Sequence, residues 1–235
     1  MAQLQRIAIA PTQIQQAEIL LTPEQQHYLR RVLRLREGEH FIAMDGRGKW
    51  WLACLTGEQA QVLEPLTVET ELPVAITLMI ALPKASGFDE VVRSCTELGV
   101  ACITPVLSDR TLLNPSPQKL ERWRRIATEA AEQSERAFVP TILEPVAFSD
   151  AVTNITATHR YICEARGEYL HLNHAMTEIA GEIVIATGPE GGWTTAEIEA
   201  AIASGFQPVS LGRRILRAVT APIVALSLIT AACEV

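Results

Sequence analysis

The stretch ATGPEGGWTTAEIEAAIASGFQPVSLGRRILRAVTAP, residues 186–222, decides the architecture. A short apolar run, GEIVIAT, ends in Gly188-Pro189-Glu190-Gly191-Gly192. A second, QPVSL, ends in Leu211-Gly212 and is followed by Arg213, Arg214 and Arg217. Between them Thr194 and Glu197 have the spacing of a capping box at a helix N-terminus. This order, strand, glycine turn, helix, strand and glycine turn, is that of an open α/β sheet, whose ligands sit at the carboxyl ends of the strands. Glycines there let backbone N–H and C=O groups come close to a ligand. One such turn is as readily a tight strand-to-helix connection. Two at neighbouring strand ends point to a single pocket.

Upstream the same alternation begins at Leu72-Pro73. AITLMI, VACITPV and RYICE read as strands. GFDEVVRSCTELG puts Phe88, Val91, Val92, Cys95 and Leu98 on one helical face and stops at Gly99. KLERWRRIATEAAEQSER turns Leu120, Trp123, Ala127, Ala130 and Ala131 inward and Arg122 and Arg125 outward. Residues 73–235 are therefore expected to form an α/β domain with a mostly parallel sheet covered on both faces. Residues 1–72 have another rhythm. HFIAMDG, RGKWWLACL and QAQVLEPLTVE are strand-like runs separated by Asp45-Gly46, Gly48 and Gly57, which are hairpin signals. Helical periodicity is confined to residues 23–35 and opens at Thr22-Pro23-Glu24. A small β-barrel domain with one or two helices is predicted here.

The chain of 235 residues, 48% of them hydrophobic, is long enough for a sizeable core and too apolar for disorder. No apolar run approaches the roughly 18 residues of a membrane span. The start, MAQLQRIAIAPTQIQQ, lacks signal-peptide architecture, so a cytoplasmic location is expected. The cysteines at 54, 95, 102, 163 and 233 are scattered and read as reduced thiols. The net charge of −7 weighs against nucleic acid, yet Arg30, Arg31, Arg34 and Arg36 crowd into seven positions of HYLRRVLRLREG. That run is either a solvated helix face or a phosphate-binding patch on an acidic protein. GxxxxGK[ST], GxGxxG and GxSxG are all absent, which removes the best support for nucleoside triphosphates, dinucleotides and serine hydrolysis. His171-x-x-His174 has no third ligand at a recognisable spacing, so these read as surface histidines and no metal is expected.

GPEGGWTTAEI and SLGRRILRAVTA resemble the C-terminal signature of the RsmE-type methyltransferases of small-subunit ribosomal RNA, members of the SPOUT superfamily. HYLRRVLRLREGE, ALPK at 81–84, TELGVACITPV and EAAEQSERAFVP occur upstream in the family's order, so the resemblance spans nearly the whole chain. It implies a PUA-like N-terminal barrel that helps bind RNA and a trefoil-knotted C-terminal domain that binds S-adenosylmethionine. It also implies a homodimer and methylation of N3 of one uridine in the decoding region of 16S rRNA, with the assembled small subunit as the expected substrate. On the matching positions, the cofactor pocket falls on Gly188, Glu190, Gly191, Gly192, Leu211, Gly212, Ile215, Leu216 and Arg217. The RNA contacts fall on Arg30, Arg31, Arg34, Lys84 and Arg136. Arg217 and Arg136 are the catalytic candidates, because fixed guanidinium groups stabilise the charge that a deprotonated uracil spreads onto its carbonyl oxygens. The sulfonium is already a strong methyl donor and needs no metal. Two positions depart from the family pattern. The usual EQSGR is here Glu132-Gln133-Ser134-Glu135-Arg136, and the usual LRTETA is Leu216-Arg217-Ala218-Val219-Thr220-Ala221, with Val219 in place of a glutamate.

Three other readings compete. An RNA-binding protein that has kept the fold and lost catalysis binds RNA without methyl transfer. A nucleotide-binding enzyme prefers ATP to S-adenosylmethionine. A methyltransferase of another RNA, such as transfer RNA, shares the cofactor alone. The final segment, APIVALSLITAAC, is apolar nearly all round and is expected to be a helix starting at Pro222 and buried on every side, with a dimer interface covering what its own subunit does not.

Overall fold

The computed structural model describes residues 4–83, 87–111, 115–177 and 179–234. The chain divides into two compact units, one of residues 1–71 with 131–139, the other of 72–130 with 140–235. The expected boundary between residues 72 and 73 lies within a residue of this division. The segment 131–139, assigned in sequence to the second domain, packs in the first unit instead.

The first unit holds β1 (Arg6–Ala8), β2 (Ile14–Gln15), β3 (Glu18–Leu20), α1 (Pro23–His27), β4 (His40–Met44), β5 (Trp50–Thr56) and β6 (Gln59–Leu66). They form one mixed sheet in the order β1-β4-β5-β6-β3-β2, parallel only at β1–β4. Ile7 beside β4 and Ile19 at the far side share one core with Phe41, Ala53 and Leu55 of the central strands, so the sheet curls round that core, PUA-like. Thr22 caps α1, its hydroxyl accepting from Gln25 N while the Gln25 side chain accepts from Thr22 N. The helix predicted over 23–35 breaks early. After α1 the chain forms a single π-helical turn, Tyr28–Val32, and Arg34 takes a φ of +59° that no helix continues.

Residues 131–139 are tied to this unit by charge. The Glu71 carboxylate accepts from Arg136 Nη2 at 2.6 Å, from Ala137 N at 2.8 Å and from Phe138 N at 3.2 Å. Glu132 accepts from Ala8 N, and Glu135 pairs with Arg6 at 2.7 Å. Glu135 stands at φ +62°, a conformation that costs a non-glycine residue about 1–2 kcal/mol. Glycine in the EQSGR pattern takes that φ freely; here the ion pair with Arg6 offsets part of the strain.

The second unit holds β7 (Ala75–Ala81), α2 (Gly87–Glu97), β8 (Cys102–Leu107), most of α3 (Pro117–Gln133), β9 (Thr141–Ile142), β10 (Val146–Ala147), α4 (Phe148–Asn154), β11 (His159–Cys163), α5 (Leu172–Ala175), β12 (Glu182–Thr187), α6 (Thr195–Ala203), β13 (Gln207–Val209) and α7 (Thr220–Cys233). Its strands run parallel in the order β10-β8-β7-β12-β11-β13, with β9 also on β8. β7, β12 and β11 are buried on both faces, which is why AITLMI and EIVIAT read as unbroken apolar runs instead of alternating ones. Phe88, Val91, Val92 and Cys95 of α2 and Leu120, Trp123, Ala127 and Ala130 of α3 are buried, as their helical spacing requires. Trp123 also donates its indole N–H to Asp89 at 3.0 Å.

α7 begins at Thr220, which puts Pro222 inside the first turn, where its missing N–H costs nothing. Its buried stripe is Pro222, Ala225, Leu226 and Ile229, packed towards α2, α5 and β12. Ile223, Val224 and Leu228 on the opposite side are only half-buried. The helix is thus enclosed on one side, not on every side. Among the described residues no helix is long and apolar enough to cross a membrane.

Candidate functional site

The strand order brings the carboxyl ends of β12, β11 and β13 side by side, and the loops that leave them line one open cleft whose empty space, mouth included, is about 810 Å³. Gly188 to Trp193, after β12, form one wall. Leu211 to Leu216, with Ala218 and Ala221, form another after β13. Cys163 to Arg166, after β11, and Arg110, after β8, complete it.

The glycine turn is held from behind. Trp193 is buried, stacks on Phe148 with ring centroids 4.3 Å apart, and donates its indole N–H to Cys163 O at 3.2 Å. A Cβ at position 188 would come within 3.1 Å of the Trp193 Nε1, so any side chain there would push the ring back by a few tenths of an ångström. Arg110 reaches the same turn from the loop after β8, donating to Gly191 O at 2.5 Å and Trp193 O at 3.3 Å. A second tie runs alongside. Buried Glu197 accepts from Asp109 N at 2.9 Å and from Thr194 N at 2.7 Å, while the Thr194 hydroxyl bonds Asp109 Oδ2 at 3.2 Å. The capping box of α6 therefore also joins two loops whose strands have β7 between them.

The other wall turns at Gly212, whose φ of +117° disfavours any side chain. Its N–H is held at 3.0 Å by the Ser210 hydroxyl. A Cβ at Gly192 or Gly212 would meet no protein atom within 4 Å, so both face open space. Backbone amides and carbonyls with the apolar Leu211, Leu216, Ala218 and Ala221 suit a purine ring, and Glu164, Glu190, Arg166 and Arg214 at the same cleft suit a zwitterionic tail. Burial, with a contribution from Glu164, pushes the Cys163 thiol up to about 12, so it stays protonated and is no nucleophile at neutral pH.

Of the nine residues predicted for the cofactor, eight line this cleft: Gly188, Glu190, Gly191, Gly192, Leu211, Gly212, Ile215 and Leu216. Arg217 does not. Its side chain is exposed and free of hydrogen bonds or ion pairs to any described residue, while its carbonyl accepts from Thr220 N and Ala221 N at 2.9 Å. Arg136 is built into the first unit: it is 4% exposed, with Nε and Nη2 on the Glu71 carboxylate. A buried guanidinium already paired in this way has no free face for a base or a phosphate. In the arginine run, Arg31, Arg34 and Arg36 are exposed, whereas Arg30 is half-buried, pairs with Glu37 at 3.3 Å and donates to Gly57 O. Lys84 lies outside the described residues. Among the described residues no three potential ligands gather for a metal, and His171 spends its Nδ1 on Asn173 N.

Arg110, Trp193 and the Cys163–Arg166 loop were not foreseen. Each follows a strand end, so the rule that ligands sit there would have found them had the strand order been known.

Comparison with known proteins bears on this site directly. Residues 70–230 match the model of an RNA methyltransferase domain, and residues 21–63 that of an RNA methyltransferase PUA domain. The chain is 51% identical over 240 residues to ribosomal RNA small subunit methyltransferase E of Synechocystis sp., covering 97% of this chain and 78% of that one. The chain belongs to the ribosomal RNA small subunit methyltransferase E family. A member from Bacillus subtilis is 30% identical, with 95% of this chain and 94% of that one aligned. The crystal structure of the family's Neisseria gonorrhoeae enzyme, bound to S-adenosyl methionine, superposes with a TM-score of 0.91 at 32% identity and 98% coverage of both chains. Membership makes this protein an S-adenosylmethionine-dependent rRNA methyltransferase with a PUA-like and a SPOUT unit.

Proposed function

We propose that this enzyme methylates N3 of a single uridine in 16S rRNA, within the cytoplasm and as a homodimer. The observation that carries the reading is the cleft formed by two glycine turns at the ends of the parallel strands β12 and β13, which flank β11, in a chain that belongs to this family throughout its length. S-adenosylmethionine, held there, supplies a methyl group on a positively charged sulfur.

The protein's own task is to make a poor nucleophile attack. Uracil N3 carries a proton and must give it up, to solvent water, before its electron pair can bond to the methyl carbon. Transfer of that methyl group would return the carbon–sulfur electron pair to the sulfur, so the departing group would be a neutral thioether. The anion spreads charge onto the two flanking carbonyl oxygens, and Arg217 is the proposed donor to them. Its guanidinium is unspent within the described residues, and its neighbours Leu216 and Ala218 line the cleft. One such donor is typically worth roughly 3–4 kcal/mol in the transition state. Arg136 is dropped from this role because Glu71 already holds it. The exposed Arg31 and Arg34 are proposed phosphate contacts.

Val219 does not speak for lost catalysis. Its Cγ1 lies 2.5 Å from the place a Cβ on Gly87 would occupy, so it seals the start of α2 and acts by packing. Dimerisation is supported by the half-buried Ile223, Val224 and Leu228 of α7, and light scattering should return twice the 25.8 kDa of one chain.

The deciding experiment is mass spectrometry of 16S rRNA nucleosides after incubation with enzyme and labelled cofactor. N3-methyluridine should appear, and Arg217→Ala should cut its rate about 100-fold or more with little change in cofactor affinity. Methylated uridine in transfer RNA, and none in 16S rRNA, would refute the substrate.

A further inference from the structure

An exposed aromatic ring, that of Phe138, lies against the tip of the β4–β5 hairpin. Asp45 Oδ1 accepts the backbone N–H groups of Arg47 at 2.8 Å and Lys49 at 3.0 Å, which fixes the turn. The segment 137–139 of the same unit lies across it. Gly48 N donates to Ala137 O and Val139 N to Gly46 O, both at 3.0 Å, and Arg47 stands opposite Phe138 in an antiparallel bridge. Phe138 N is taken in turn by Glu71 at 3.2 Å.

This frame leaves the Phe138 ring against the Gly48 backbone. A Cβ on Gly48 would lie 2.8 Å from Phe138 Cζ, and its φ of +100° also requires glycine. Phe138 is nevertheless 47% exposed. Arg47 and Lys49 are exposed too, and neither side chain bonds or pairs with any described residue. Asp45 is spent on the turn, Glu71 on Arg136, Ala137 and Phe138, and Glu135 on Arg6.

We propose that Phe138, packed on Gly48 with Arg47 and Lys49 flanking that glycine in the chain, is a stacking platform for an unpaired base of the RNA substrate. Single-stranded nucleic acid is bound by this combination, an aromatic face for the base and cations for the flanking phosphates. The charge argues for RNA over a protein partner. On a chain of net charge −7, two unneutralised cations beside one exposed ring suit a polyanion with aromatic bases. The inference rests on the rRNA reading above and adds the place where one nucleotide away from the reacting uridine is gripped.

Binding of a single-stranded oligouridylate of about 10 nucleotides, followed by fluorescence anisotropy across a salt series, tests it. Phe138→Ala should weaken binding at least about fivefold, and Phe138→Tyr should restore it. Arg47→Ala with Lys49→Ala should lower the log–log salt slope by about 1.4, or about 0.7 for each lost contact. Calorimetric affinity for S-adenosylmethionine should be unchanged in all three, which also reports that they are folded. Wild-type affinity and slope in every variant, with rRNA still methylated by the wild type, would overturn the platform. So would variants that bind protein-free RNA normally and lose only the assembled small subunit, since a ribosomal protein would then be the occupant. A wild type that methylates no rRNA overturns the underlying reading, and the oligonucleotide series still judges the platform.

Discussion

Arg110 ties the loop after β8 to the glycine turn after β12, and its removal should be felt as cofactor affinity. The perturbation is Arg110→Ala, which deletes two charge-assisted hydrogen bonds, to Gly191 O at 2.5 Å and to Trp193 O at 3.3 Å. Hydrogen bonds to charged groups contribute about 1.5–3 kcal/mol each when well made. Arg110 is exposed and the second bond is long, so water recovers much of that, leaving about 1–2 kcal/mol for the pair. The second tie, Glu197 with Asp109 and Thr194, remains and keeps α6 in place. The loss therefore falls on the turn alone. At 1.4 kcal/mol per tenfold, the Kd for S-adenosylmethionine should rise about 5- to 30-fold. Single turnover at saturating cofactor should change by less than about threefold, since Arg110 is spent on protein carbonyls and touches no reacting atom. Arg110→Lys keeps the charge and one donor and should recover part of the affinity. Isothermal calorimetry gives the Kd, and rapid-quench methyl transfer gives the rate. An unchanged Kd would refute the latch. A lost rate with an unchanged Kd would show that Arg110 meets the RNA.

Other consequences follow from single contacts. Gly212→Val must force a β-branched residue to φ +117°, and should abolish cofactor binding in calorimetry while circular dichroism stays native; a folded variant of normal affinity would show that the turn does not shape the cleft. Glu71→Ala removes the carboxylate paired with the buried Arg136, and should cost about 3 kcal/mol, the low end for a broken buried pair because the Glu71 side chain is 24% exposed. For a chain this long that is a fall of about 6–12 °C in Tm by scanning calorimetry. Gly87→Ala presses on Val219 and through it on Ala218 of the cleft, so it should weaken cofactor binding, and Val219→Ala in the same chain should restore it. Additive effects of those two substitutions would mean that the contact carries nothing.

The sequence alone determined the central strands of the α/β unit, because parallel strands buried on both faces leave unbroken apolar runs that no surface strand can have, and it missed the short β9 and β10, which leave none. It also determined the two glycine turns and the capping box of Thr194 and Glu197, which are local chemistry acting within a few residues. It did not determine which arginine does what. Arg136 and Arg217 are alike as letters, yet one is buried on Glu71, 65 residues away, and the other is left exposed beside the cleft. Arg30 and Arg31 are neighbours, and only the first is turned onto Glu37 and Gly57. Arg110 and Trp193 became part of the site through strand order, which sets β8, β7, β12 and β11 in a sequence that the chain does not follow. A guanidinium's partner is set by whichever carboxylate or carbonyl the folded chain brings within about 3 Å. That proximity is a property of the tertiary structure, and no local pattern contains it.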